Sequence, residues 1–151
     1  MKRFIILAGM LVLAGGVFAG GRSGKPVSIV HASVLKDFVL RYDDVSSGRW
    51  IPDRKGSTMY FMMDGYHDKA VYDANGRWKY SLIFYDESKL PRDIRTVVKR
   101  QYFDFDIKVV EEVQVLEGKA YFVHLEDKTS LKLVKVTSDG DMETIEDFAR
   151  S

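Results

Sequence analysis

Apolar residues recur every fourth position at Val30, Val34, Phe38 and Tyr42, with Leu35 and Val39 alongside. That spacing predicts a helix over about 28–43 that buries one stripe. Past Asp43-Asp44 and Ser46-Ser47-Gly48 the period shortens to that of strands, at about 49–55, 57–64, 66–73 and 77–85. Asp64-Gly65 and Asn75-Gly76 join the later strands, and both dipeptides suit tight hairpins because their residues tolerate positive φ. A second helix is predicted over about 91–103, with Ile94, Val97, Val98 and Tyr102 on its buried face. Pro91 fits its first turn, where a missing N–H leaves no bond unmade. Four more strands follow at about 107–116, 119–126, 130–137 and 142–147, with Glu117-Gly118 and Asp139-Gly140 in turns. Ile107, Val109, Val113 and Val115, then Tyr121, Val123 and Leu125, alternate as half-buried strands do.

The order is therefore helix and four strands, twice. Phe38 and Val98 are 60 positions apart, as are Tyr42 and Tyr102, whereas Asn75 to Asp139 and Gly76 to Gly140 are 64 apart. A four-residue slip between helix and last hairpin fits within one loop. The expectation is an internal duplication, with units at 28–88 and 89–151 sharing one domain after a leader at 20–27. The economical arrangement is α+β: one long curved antiparallel sheet with both helices on one face and the other face open.

The first 19 residues add a location. Lys2-Arg3, an uncharged run from Phe4 to Ala14 and the small residues of Gly15-Gly16-Val17-Phe18-Ala19 follow the order of a secretory signal peptide, with cleavage expected after Ala19. Residues 4–19 fall short of the ~20 apolar residues a spanning helix needs, which disfavours an anchor. The chain has no cysteine, so an acylated N-terminal cysteine is excluded and an exported fold must stand without disulfides. The expected location is periplasmic or secreted, with no stable membrane anchor after cleavage. Of 151 residues, 46% are hydrophobic and 30% charged, enough for a core under a wettable surface. Lys and Arg number 23 against 22 Asp and Glu, and loss of Lys2 and Arg3 turns the net +1 into −1. A near-neutral chain has no electrostatic reason to bind nucleic acid. The nearest basic cluster, Arg92, Arg95, Lys99 and Arg100, reads as a solvated helix face.

Candidate chemistry thins quickly. Thiol catalysis is impossible, and no Gly-x-Ser-x-Gly elbow occurs. Gly24-Lys25 lacks the first glycine of a phosphate loop, having Ala19 there, and Pro26 stands where Ser or Thr would hold Mg²⁺. His31, His67 and His124 show no metal-ligand spacing. Asp73-x-Asn75-Gly76 has Trp78 and Phe84 where a calcium loop needs Gly and Glu, and Asp139-x-Asp141-x-Glu143 has Thr144 in place of that Gly. Asp104 and Asp106 are read as solvated turn residues and not as glycosidase acids. No catalytic residue, metal or cofactor is expected.

Aromatic residues remain. Trp50, Tyr60, Tyr66, Tyr72, Trp78, Tyr80 and Tyr85 fall in the first unit; Tyr102, Phe103, Phe105, Tyr121, Phe122 and Phe148 fall in the second. Trp and Tyr anchor interfaces because they bury much area at little entropic cost. Tyr66 and Tyr72 share strand parity, so Trp50, Tyr60, Tyr66, Tyr72, Trp78 and Tyr80 are the candidate binding residues on the open sheet face.

The stretch Phe61-Met-Met-Asp-Gly-Tyr-His-Asp-Lys-Ala-Val-Tyr-Asp-Ala-Asn-Gly-Arg-Trp78 resembles the strand, turn-Gly, strand, Asp-x-x-Gly-x-Trp segment of the PepSY-like proteins exported by Bacteroidetes. Val34-x-x-x-Phe38-x-x-x-Tyr42 and Leu90-Pro91-x-x-Ile94-x-x-Val97-Val98-x-x-x-Tyr102 are similar to that family's two helices. The similarity spans about 28–148 and rests on turns and core aromatics. It implies a fold like that of the β-lactamase inhibitor protein, whose disulfides cannot form here. It further implies a non-enzymatic binding protein, as an inhibitor or modulator of a peptidase or another protein partner. The alternative is a periplasmic carrier holding a small apolar or peptide ligand between sheet and helices.

Overall fold

The computed structural model describes residues 30–150, so the expected signal peptide at 1–19 and leader at 20–27 lie outside the described residues. The order is α1 (Ala32–Arg41), β1 (Ser47–Asp53), β2 (Gly56–Met63), β3 (Tyr66–Asp73) and β4 (Trp78–Tyr85), a short 3-10 turn at Glu87–Lys89, α2 (Arg92–Gln101), β5 (Asp106–Val115), β6 (Gly118–Glu126), β7 (Ser130–Thr137) and β8 (Met142–Ala149). All eight strands form one sheet in sequence order, every neighbour antiparallel. Both helices are shorter than their sequence patterns suggest. His31 and Pro91 occupy the N-cap positions, so Pro91 precedes the first turn of α2.

Helix α1 buries Val34 and Phe38, and Tyr42 follows at its C-cap; α2 buries Ile94 and Val98, with half-buried Tyr102 at the matching place. The α1 stripe is narrower than expected, since Leu35 is only half-buried and Val39 is 71% exposed. Under α1 the core is aromatic: Phe61 sits 5.1 Å from Phe38 and 4.9 Å from Tyr42, ring centre to ring centre. Under α2 it is aliphatic, built from Val110, Val123, Leu125, Val134 and Val136.

Turn chemistry holds the meander in register. Asp64 and Gly65 both take positive φ, 53° and 85°, in the β2–β3 hairpin. In the β3–β4 turn, Asp73 Oδ1 accepts the backbone N–H groups of Asn75 and Arg77, each at 2.9 Å. Gly76, at φ 77°, lies against α1, where an added Cβ would stand 3.0 Å from Ser33 Oγ. Both segments that resemble calcium loops are thus hairpin turns, and Asp139-Gly140 closes β7–β8 with Gly140 at φ 88°.

Strand pairing locates the four-residue slip. Trp50 faces Met59 as Val110 faces Val123, and Pro52 faces Ser57 as Glu112 faces Tyr121. Positions in β1 and β5 are therefore offset by 60, whereas their partners in β2 and β6 are offset by 64. The β1–β2 pairing ends at Asp53 and Gly56, but β5–β6 continues through Gln114–Lys119 to Val115–Gly118. A longer hairpin, and not a longer loop, absorbs the difference.

Candidate functional site

Cross-strand pairs sort every strand residue onto one of two faces. On the helix side lie Trp50, Met59, Ala70 and Ser81 in one row, and Tyr72 with Trp78 beside it. The uncovered side carries a row of Ile51, Thr58, Val71, Tyr80 and Val115, and a second of Arg49, Tyr60, Lys69, Leu82, Val113 and Ala120. Both rows cross the boundary between the two units without interruption.

This sorting corrects four of the six expected aromatics. Trp50 packs beneath α1, its ring 5.4 Å from Phe38. Tyr72 is 1% exposed and its hydroxyl donates to Asp37 Oδ2 at 2.9 Å. Burial pushes the Tyr72 phenol well above its ordinary range, with the Asp37 carboxylate adding to the effect. Trp78 lies under the Arg41 guanidinium, 4.4 Å from the ring centre, and its indole N–H donates to Ser81 Oγ at 2.8 Å. These three stabilise the core and do not face an open surface. Tyr66 pairs with Met63 on the helix side and is half-buried. Only Tyr60, 47% exposed, and half-buried Tyr80 stand on the open face, with Lys69 Nζ 5.7 Å above the Tyr80 ring.

Trp78 and Tyr80 part company because of a bulge. Tyr72 pairs with Trp78, yet the preceding Val71 pairs with Tyr80, leaving Lys79 as an extra residue on β4. An extra residue turns the following side chains to the other face. Parity alone gives no sign of it.

The second unit supplies open-face residues that the aromatic count missed. Val109, His124 and Leu133 form a row that ends at Glu146 on β8, and Leu131 pairs with Phe148 next to it. With Phe84 they line a groove of about 510 Å³ on the open face. The segment Leu131-Lys132-Leu133-Val134-Lys135-Val136 carried a usable signal: its apolar parity switches midway, so both faces of β7 are apolar. Leu131 and Leu133 face the open side, Val134 and Val136 the core.

Polar groups on the helix side are mostly saturated. Glu112 receives the Tyr85 hydroxyl at 2.6 Å, Gln114 Nε2 at 2.9 Å and Lys119 Nζ at 2.9 Å. Burial alone would raise its pKa, but those three donors outweigh burial and hold the carboxyl below its usual range. Asp68 is the exception: Oδ1 accepts the Phe84 N–H at 2.7 Å, while Oδ2 is buried with no partner. Desolvation raises that carboxyl to about 6. At the sheet end, Lys108 pairs with Asp106 at 3.4 Å and with Glu126 at 3.7 Å, and Asp127 accepts the N–H groups of Thr129 and Ser130. Asp104 and Asp106 are exposed there. Among the described residues, no three His, Asp or Glu side chains group as a metal site, and no helix is long and apolar enough to cross a membrane.

No protein-family model and no curated protein matches the sequence. Several solved structures match the fold. A BLIP-like protein from Bacteroides fragilis aligns at TM-score 0.60 with 13% identity, covering 82% of this chain and 89% of its own. A DUF2874 family protein from Bacteroides uniformis aligns at TM-score 0.55 with 17% identity, over 80% of this chain and 90% of that one. A Bacteroides eggerthii protein provisionally described as periplasmic aligns at TM-score 0.55 with 14% identity, over 81% and 90% respectively. The chain shares its fold, one open eight-stranded antiparallel sheet with two helices on one side, with the BLIP-like and DUF2874 proteins of Bacteroides.

Proposed function

We propose that this chain is an exported, non-enzymatic binding protein that presents its uncovered sheet face to a protein partner. One observation carries the reading: apolar side chains are set along that face, Ile51, Tyr80 and Leu82 in the first unit and Leu131, Leu133 and Phe148 toward the far edge, with no element above them among the described residues. Grouped exposed apolar side chains mark interaction sites in soluble proteins. The signal-like amino terminus and the fold shared with a provisionally periplasmic protein support export. Restraint of an exported peptidase is the form of binding that the PepSY-like resemblance suggests. A carrier with its ligand between sheet and helices is less well supported, because interlocked rings fill the space under α1 and the apolar groove of about 510 Å³ lies on the opposite face.

Position-specific photocrosslinking in the native host tests this. A photoreactive residue at Tyr60 or Tyr80 should give a discrete protein adduct, and one at Lys36 or Thr96 on the exposed helix surfaces should not. Adducts confined to the helix positions, or none at any position, would overturn the reading.

A further inference from the structure

The open-face groove differs from the rest of that face in shape, in charge and in its boundary. Its floor is Val109, His124 and Leu133, and Phe84 and Phe148 stand at either side. The corresponding positions of the first unit hold Arg49, Tyr60 and Lys69, whose longer side chains cover the sheet there. Both lysines lining the groove are already neutralised: Lys108 by Asp106 and Glu126, and Lys132 by Asp147 at 2.5 Å. Glu126 also pairs with Arg150. Glu146, at the groove's outer rim, makes no ion pair among the described residues. The uncompensated charge of the groove is therefore negative. Its outer border is β8, an edge strand whose far side pairs with no other strand among the described residues and whose side chains from Glu143 on are all exposed.

These observations favour an extended polypeptide as occupant. A small apolar ligand needs most of its surface enclosed, whereas this groove is built from a sheet surface and lies open above. An extended segment gains from both features present, since a free strand edge offers main-chain hydrogen bonds and a neighbouring pocket takes a side chain. We propose that the groove is the anchor point of the open face: it takes one large apolar side chain of an extended segment of the partner, and Glu146 pairs with a lysine or arginine beside that side chain. The proposal rests on the open-face reading above and narrows it to β5–β8 and to a basic-flanked apolar partner sequence.

The probe is a random twelve-residue peptide library displayed on phage, selected against the purified full chain, with enriched peptides then synthesised and titrated by fluorescence anisotropy. The expected motif is a Phe, Leu, Ile or Trp within two residues of Lys or Arg. Phe148→Ala, at an exposed position, should weaken binding at least tenfold. Glu146→Lys should weaken it about as much and recover it for the peptide whose basic residue is changed to Glu. Weakening by Tyr60→Ala but not by Phe148→Ala would overturn the groove assignment and leave the open-face reading standing. Insensitivity to all three substitutions would overturn both. If no peptide is enriched the proposal fails, whether the groove then binds an apolar dye one-to-one or holds a second copy of the chain, seen as a dimer that Phe148→Ala dissociates. An enriched motif lacking either the apolar or the basic residue sinks it as well.

Discussion

The two units share an order of elements and a pairing scheme while differing in almost every buried residue. Phe38 under α1 corresponds to Val98 under α2, Trp50 to Val110, Met59 to Val123, Phe61 to Leu125, and Tyr72 to Val136. One core is made mainly of rings in edge-on and tilted contact, the other mainly of branched aliphatics. The same topology results because strand period and turn positions dictate which side chains point inward, and any apolar set of suitable volume can then fill the space. The units differ also in their borders. Strand β4 is paired on both sides, by β3 and β5, whereas its counterpart β8 is an edge among the described residues. The repeated order of elements thus has one fourth strand paired on both sides and one whose outer edge is unpaired among the described residues, and the groove lies beside the latter.

The strongest way to break the comparison is to remove volume at equivalent sites. Phe61 is 2% exposed and touches both Phe38 and Tyr42, so Phe61→Ala should cost about 3–5 kcal/mol. Leu125→Ala at the matching position should cost about 2–4 kcal/mol. Urea titration of both variants should show a single transition moving in each case, because the units share one sheet through β4–β5. Two separated transitions in either variant would show that the units unfold independently.

Much of this architecture is readable from sequence, and the exceptions have physical causes. Both helices and all eight strands follow from period and turn chemistry, with ends shifted by a few residues. The offsets of 60 and 64 mark the repeated order of elements, but only pairing shows that the β5–β6 hairpin carries the extra residues. The candidate site is less legible. Period two states that alternate residues share a face without stating which face the helices cover, so Trp50 and Tyr72 are expected on the open side and lie on the other. The bulge at Lys79 is a cross-strand property with no local signature, and it separates Trp78 from Tyr80. Weighting Trp and Tyr as interface residues draws notice to the first unit, whereas the groove is made of Leu, Val, Phe and His in the second.

A smaller effect separates the units by charge. Asp68 faces Phe61 where Lys132 faces Leu125, but Lys132 has Asp147 across the ladder, and the residue continuing the register opposite Asp68 is Ile83. One of these charges is paired and the other is not. The Asp68 carboxyl, with Asp64, His67 and Lys89 as its charged surroundings, titrates near 6 when folded and at its ordinary value of 3.8 when unfolded. A raised carboxyl stabilises the fold below about pH 4, and that contribution is lost as pH rises through about 6. Asp68→Asn should therefore gain on the wild type between about pH 4 and pH 8, by up to about 3 kcal/mol, because each tenfold difference in proton affinity between the folded and unfolded chain is worth about 1.4 kcal/mol. Chemical denaturation at both pH values measures the difference. An unchanged gap would mean that the Asp68 carboxylate is not destabilised by burial.

The finest comparison uses a hydrogen bond that both units retain. The Tyr42 hydroxyl at the end of α1 bonds Ser81 Oγ on β4, and the Tyr102 hydroxyl at the end of α2 bonds Thr144 Oγ1 on β8 at 2.8 Å. Ser81 pairs with Ala70 and Thr144 with Val134, so the two bonds are structurally equivalent. Their settings are not. Ser81 is fully buried in the middle of the sheet and also accepts the Trp78 indole, whereas Thr144 is exposed on the edge strand. A buried hydroxyl that loses its partner finds no water to replace it, while an exposed one exchanges the partner for solvent. Tyr42→Phe should thus cost about 1–1.5 kcal/mol and Tyr102→Phe no more than about 0.5 kcal/mol. Equal losses from the two substitutions would show that β8 is as well shielded as β4, which would remove the free edge from which the groove's extended partner gains its backbone contacts.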